Sequence, residues 1–184
     1  MRMKDLDEKN IIRQLQDDET RTAAFTTVVN QFKEPLYWQI RRMVVNHDDT
    51  DDILQNTFIK AWNGLSTFRG ESKLSTWLYR IATNETLNFL ERQRHATVSI
   101  DDTESHTLAN LQSDPYFDGD ETQIQLQEAI GQLPAKQRQV FTLKYYDDMK
   151  YEEMSQLLDT SVGALKASYH HAVKKICNFF EHID

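Results

Sequence analysis

Apolar side chains recur at helical spacing along most of the chain, and this pattern predicts a series of amphipathic helices. Residues 22–45 read as one helix, in which Pro35 should introduce a bend. A second helix should open at the acidic run 48–52, and a third should run from 73 to 95 with Ser72 as its cap. Glycine and proline number only five and three, which argues against an all-β fold. We therefore predict an all-α protein.

A second set of helical patterns follows residue 122. A short helix should end before Pro134, where another helix begins. Two further helices should cover residues 151–158 and the residues from 162 onward, with Ser161 as a favourable N-cap. Because only three residues separate these two helices, they predict a helix-turn-helix, whose second helix enters the DNA major groove.

Between these two regions lies an acidic segment without helical periodicity. It carries seven carboxylates between residues 96 and 122 and no lysine or arginine, and it contains Pro115 and Gly119. Since the formal net charge of the whole chain is −8, most of the excess acid lies in this segment. Such a composition favours a solvated spacer. We therefore predict two small helical domains, residues 1–95 and 122–184, joined by an acidic flexible linker at 96–121.

The third predicted helix carries a polar row. Arginine and asparagine recur every fourth residue there, so they share one face, and both side chains suit phosphates and base edges. The row consists of Arg80, Asn84, Asn88 and Arg92. The preceding loop, 64–72, offers glycine, hydroxyl groups, an aromatic ring and an arginine, a set suited to hold an unstacked base. The plain alternatives are a solvated polar face for the row and core positions for Phe68 and Trp77.

Other chemistries find little support in the sequence. The acidic run 48–52 lacks the ligand order and the glycine of an EF-hand, and His170, His171 and Cys177 fall short of the four ligands of a structural zinc site. No GxxxxGKS/T, HExxH or GxSxG motif occurs. We therefore expect no catalysis, no metal and no cofactor. A single cysteine and the lack of a long apolar run lead us to expect a cytoplasmic protein without membrane insertion.

Together these segments resemble the sigma-70 family, in its compact extracytoplasmic-function (ECF) group, which has no middle domain. DDILQNTFIKAW, residues 51–62, is similar to region 2.2, which docks on the clamp helices of RNA polymerase. FRGESKLSTWLYRIATNETLNFLERQR, residues 68–94, is similar to regions 2.3 and 2.4, which melt and read the −10 promoter element. LPAKQRQVFTLKYYDDMKYEEMSQLLDTSVGALKASYHHAVKKI, residues 133–176, resembles region 4, which reads the −35 element. The last helix departs from the commonest family pattern, with alanine, serine and histidines where many members carry arginines.

The resemblance implies a role for each of these segments. The polymerase-docking helix would use Asp51, Asp52, Gln55, Phe58 and Trp62. A pocket for a flipped promoter base would be bordered by Phe68, Arg69, Glu71, Ser72 and Lys73. The upstream edge of the melted bubble would be gripped by Arg80, Asn84, Asn88 and Arg92. The −35 groove and its phosphates would be contacted by Lys166, Ser168, His170, His171 and Lys174.

The implied function is that of a bacterial sigma factor, which binds core RNA polymerase, directs it to specific promoters and helps to melt the −10 element. The implied partners are the clamp helices and flap of core polymerase, promoter DNA as duplex and as melted single strand, and an anti-sigma factor. The alternative is a stand-alone helix-turn-helix transcriptional regulator that binds DNA without polymerase. That alternative explains the second domain but leaves the loop 64–72 and the helix at 51–62 without a use.

Overall fold

The computed structural model describes the backbone of residues 5–44, 46–70, 72–97 and 121–182. Within these ranges the chain forms α-helices and no strand, which confirms the all-α prediction. The helices are α1 (Asp5–Gln16), α2 (Arg21–Val44), α3 (His47–Gly64), α4 (Leu74–Thr97), α5 (Glu121–Gly131), α6 (Ala135–Tyr145), α7 (Tyr151–Leu158) and α8 (Val162–Glu181). A 3₁₀ turn at Leu65–Thr67 follows α3. The predicted linker, 96–121, lies almost entirely outside the described residues.

Helices α1 to α4 form a first bundle around one apolar core. Its fully or nearly fully buried side chains include Leu15, Val28, Phe32, Leu36, Ile40, Ile53, Leu74 and Leu78. Burying one such side chain stabilises the fold by about 1.5–3 kcal/mol, so packing of the apolar faces holds the bundle together. Pro35 lies inside α2, which the structure assigns as one helix from Arg21 to Val44. Helix α1 was not predicted from the sequence.

Hydrogen bonds to side-chain acceptors mark the starts of α3 and α4. The side chain of Asn46 accepts a hydrogen bond from the backbone N–H of Asp49, so Asn46 is the N-cap of α3. The acidic residues after it therefore fill the first turn of the helix. At the start of α4, the backbone N–H of Leu74 donates to the carboxylate of Glu8 in α1. A side chain from another helix thus supplies the acceptor that the sequence assigned to Ser72.

Helices α5 to α8 form a second bundle that contains the predicted helix-turn-helix. Its core consists of two neighbouring clusters, one around Ile130, Phe141, Ala172 and Ile176 and one around Val140, Leu143, Met154, Leu157 and Leu165. Helices α7 and α8 are joined by residues 159–161, where Asp159 has a φ of +48°. The hydroxyl of Ser161 accepts a hydrogen bond from the N–H of Ala164 at 3.3 Å, as expected of an N-cap. None of the described helices is long and apolar enough to cross a membrane.

The two bundles touch where α2 and α4 meet α6 and α7. Arg42 Nη1 pairs with Asp147 Oδ1 at 2.9 Å, and Arg138 Nη1 donates to the backbone carbonyl of Met43 at 2.8 Å. The sequence did not predict this inter-bundle contact, because the apolar period of a helix indicates which face is buried but not which helix covers it.

Candidate nucleic-acid interface

One face of α4 carries the predicted polar row on the surface of the first bundle. All four members of the row are exposed, namely Arg80, Asn84, Asn88 and Arg92. On the opposite face, Leu78 and Ala82 are completely buried. The core therefore fixes the helix while the row faces outward. Arg92 Nε also donates to the backbone carbonyl of Asn88 at 3.2 Å.

An ion pair beside this row ties α4 to α3. Glu85 follows Asn84 in the sequence, and its carboxylate lies 2.6 Å from the ammonium group of Lys60. The side chain of Glu85 is only 11% exposed, so Lys60 neutralises a nearly buried negative charge next to the row. The exposed face of α4 therefore retains the positive character of its arginines, which favours phosphate contacts.

The loop between α3 and α4 is built on a stack of two aromatic rings. Phe68 is 6% exposed, and its ring lies on that of Trp77 with centroids 4.7 Å apart and planes 28° apart. This corrects the prediction for Phe68, because its ring packs in the core beneath the loop and cannot offer a face to a base. The core position that the sequence left open as an alternative is the observed one.

The outer side of the loop is polar. Three of the predicted pocket residues are exposed there, namely Arg69, Ser72 and Lys73, and Glu71 lies outside the described residues. Gly70 has a φ of +72°, a conformation that glycine adopts without steric cost. The loop therefore turns sharply at Gly70 and presents its polar side chains above the aromatic stack.

Helix α1 contacts this loop through Gln16 and Ile12, and the sequence did not predict these contacts. Gln16 Nε2 donates to the backbone carbonyls of Leu65 and Phe68, at 3.0 Å each. Ile12 Cγ2 lies 3.8 Å from the position that a Cβ on Gly70 would occupy. Gln16 lies 49 and 52 residues from its two acceptors, so no local sequence signal could have found these contacts.

The outer face of α3 combines acidic, polar and apolar side chains. Four of the predicted docking residues are exposed, namely Asp51, Asp52, Gln55 and Trp62. Phe58 is only partly exposed, and it meets Phe25 edge to face with centroids 6.3 Å apart. Ile59 is 51% exposed and was missed by the sequence analysis. The sequence could have revealed this exposed residue, because Ile59 is apolar, lies outside the buried stripe of α3 and is one helical turn from Gln55.

Helix α8 presents cations and histidines on the surface of the second bundle. Exposed members of the predicted set are Lys166, His170, His171 and Lys174, and Ser168 is partly exposed. Leu165 and Ala172 hold the opposite face in the core. The rings of His170 and His171 meet edge to face with centroids 5.9 Å apart. In the part of the chain that the structure describes, no group of histidine, cysteine and acidic residues could hold a metal ion.

Known proteins share both bundles. Residues 28–96 match the family described as Sigma-70 region 2, and residues 123–176 match Sigma-70, region 4. The ECF RNA polymerase sigma factor SigW of Bacillus subtilis is 32% identical over 156 residues, which cover 80% of this chain and 83% of that protein. The chain belongs to the sigma-70 family, in its ECF group. The RNA polymerase sigma-H factor of Pseudomonas aeruginosa is 29% identical over 178 residues, which cover 92% of this sigma factor and 91% of that one.

Two solved structures have the same fold as this sigma factor. CnrH, solved in complex with the cytosolic domain of CnrY, superimposes with a TM-score of 0.70 at 20% identity and covers 96% of this chain and 99% of its own. The sigma factor RpoE, solved in complex with the anti-sigma factor NepR from Bartonella quintana, gives a TM-score of 0.69 at 21% identity. The match covers 85% of this chain and 96% of that one. At such identities the likeness concerns the arrangement of the helices.

Two neighbouring substitutions should separate the support of the loop from its surface. Phe68→Ala should lower the free energy of unfolding of the first bundle by about 3–5 kcal/mol, because it removes a buried ring. Arg69→Ala should change it by less than about 0.5 kcal/mol, because Arg69 is exposed. Urea unfolding followed by circular dichroism measures both values. Equal effects of the two substitutions would contradict the core position of Phe68.

Proposed function

We propose that this ECF sigma factor reads the −10 element with the row on α4 and the loop before it, and the −35 element with α8. In this proposal α3 docks on the clamp helices of core RNA polymerase, and the second bundle contacts the flap. The observation that carries the proposal is that each bundle holds one polar, cation-bearing helix face outward on a rigid apolar core. Such faces suit phosphate and base-edge contacts.

The first bundle would melt DNA by capturing a base. A base that leaves the stack costs a few kcal/mol, and a loop that holds it offsets part of this cost. We assign this role to Arg69, Ser72 and Lys73, which are exposed on the outer side of the loop, and to Glu71. Phe68 would contribute only from beneath, by keeping the loop in shape. The row on α4 would then grip the upstream edge of the bubble.

The second bundle would place α8 in the major groove of the −35 element. Lys166 and Lys174 suit phosphates, and the histidines and Ser168 suit base edges. Each bundle alone would bind DNA weakly. Once polymerase fixes the separation of the two bundles, the second DNA contact is intramolecular and the combined affinity is much higher. The acidic segment between them would repel DNA from the free factor.

Partners and regulation follow from the same assignment. Both solved neighbours are named in complex with a second protein, and one of these is an anti-sigma factor. We propose that an anti-sigma factor also binds this chain. We place the protein in the cytoplasm, where core polymerase is found. We assign no catalytic step to the factor, because the chemistry of RNA synthesis belongs to polymerase.

Reconstituted transcription tests this function against the alternative. The chain and core polymerase should form a stable complex that starts RNA chains at defined positions on genomic fragments. A gel shift with duplex DNA and no polymerase addresses the stand-alone regulator. Tight, sequence-specific binding in that gel shift, together with no association with polymerase, would favour the regulator and contradict the sigma-factor mechanism.

Asn84→Ala should impair promoter opening by about tenfold, because it removes one polar contact of the row to DNA, while polymerase binding should stay unchanged. Permanganate footprinting measures opening, and a pull-down with core polymerase measures binding. Asn30→Ala is a matched control, since Asn30 is an exposed asparagine on α2 outside the proposed DNA faces. Equal losses of opening and of polymerase binding would count against this role of α4.

Lys166→Ala should weaken transcription from a promoter with an intact −35 element by several-fold, because it removes a positive charge from α8. Lys136→Ala removes the same charge from an exposed site on α6 and should have little effect. Run-off transcription on intact and scrambled −35 elements gives the comparison. If Lys166→Ala reduced both promoters equally, α8 would not be the −35 reader.

A further inference from the structure

Helix α1 precedes the residues that match Sigma-70 region 2, which begin at residue 28, yet it contacts three parts of the loop before α4. Gln16 bonds to the carbonyls of Leu65 and Phe68. Ile12 packs on the loop at its tightest turn. Glu8 accepts the N–H of Leu74 at the start of α4. One helix therefore touches the beginning, the middle and the end of the loop.

The chemistry of these contacts suits positioning. The amide group of Gln16 has two hydrogens and donates to two carbonyls at the end of the 3₁₀ turn, that of Leu65, which also accepts from the N–H of Phe68, and that of Phe68 itself. The carboxylate of Glu8 sits at the positive end of α4. Leu15, which is completely buried, anchors α1 in the core between these polar side chains. The helix is thus held by packing and holds the loop by hydrogen bonds.

We propose that α1 is a positioning element for the promoter-melting loop, and that Gln16 is its principal positioning residue. This inference rests on the proposed function of the loop. Gln16 itself makes no contact with DNA. Its two hydrogen bonds hold the backbone of residues 65–68 in the position from which the loop captures a base.

Three substitutions at Gln16 test the role of its amide donors. Gln16→Ala removes both bonds and should reduce promoter opening by roughly threefold to tenfold. Gln16→Glu places a carboxylate against two carbonyl oxygens and should reduce opening further. Gln16→Lys keeps hydrogen-bond donors at this position and should retain most of the opening. Asn10→Ala, at an exposed neutral residue of the same helix, is the matched control and should behave as wild type.

The readout separates this inference from the function on which it rests. Promoter opening is compared on an intact −10 element and on one changed at a single base, alongside polymerase affinity and the melting temperature. The inference holds if discrimination between the two elements is highest in Gln16→Lys, lower in Gln16→Ala and lowest in Gln16→Glu, while polymerase affinity stays constant. It fails if wild type discriminates and all three variants match it, or if polymerase affinity falls in parallel. If wild type itself ignores the −10 sequence, the proposed function of the loop fails instead.

Discussion

The stack of Phe68 on Trp77 fixes the relation between α3 and α4, and every proposed contact of the first bundle depends on that relation. The rings lie 4.7 Å apart at the turn that joins the helices, and the Lys60–Glu85 ion pair ties the same helices along their length. Packed cores admit few alternative arrangements, so the two helices move together. In the proposed function, a polymerase that holds α3 would therefore also place the polar row of α4. Docking and promoter reading would then be coupled through the aromatic stack and the ion pair.

The two bundles are held internally and against each other by different forces. Each core is apolar and completely buried at its centre, with Leu36 in the first bundle and Met154 in the second as examples. The contact between the bundles is polar, since Arg42 pairs with Asp147 and Arg138 donates to the backbone carbonyl of Met43. Regions that must move are drawn from the least stable contacts of a fold. In the proposed function polymerase fixes the separation of the two bundles, and a polar contact of this kind would yield more readily than either apolar core.

The sequence predicted the helices well because burial leaves a period that can be read residue by residue. The bounds of α2 and α7 and the starts of α6 and α8 agree with the structure within one residue, and the exposure of the row on α4 followed from the same period. Phe68 was misjudged because a loop residue has no period to reveal its burial. The contacts of Gln16 and Arg42 join residues 49 to 105 positions apart, and such pairs leave no trace in a single sequence.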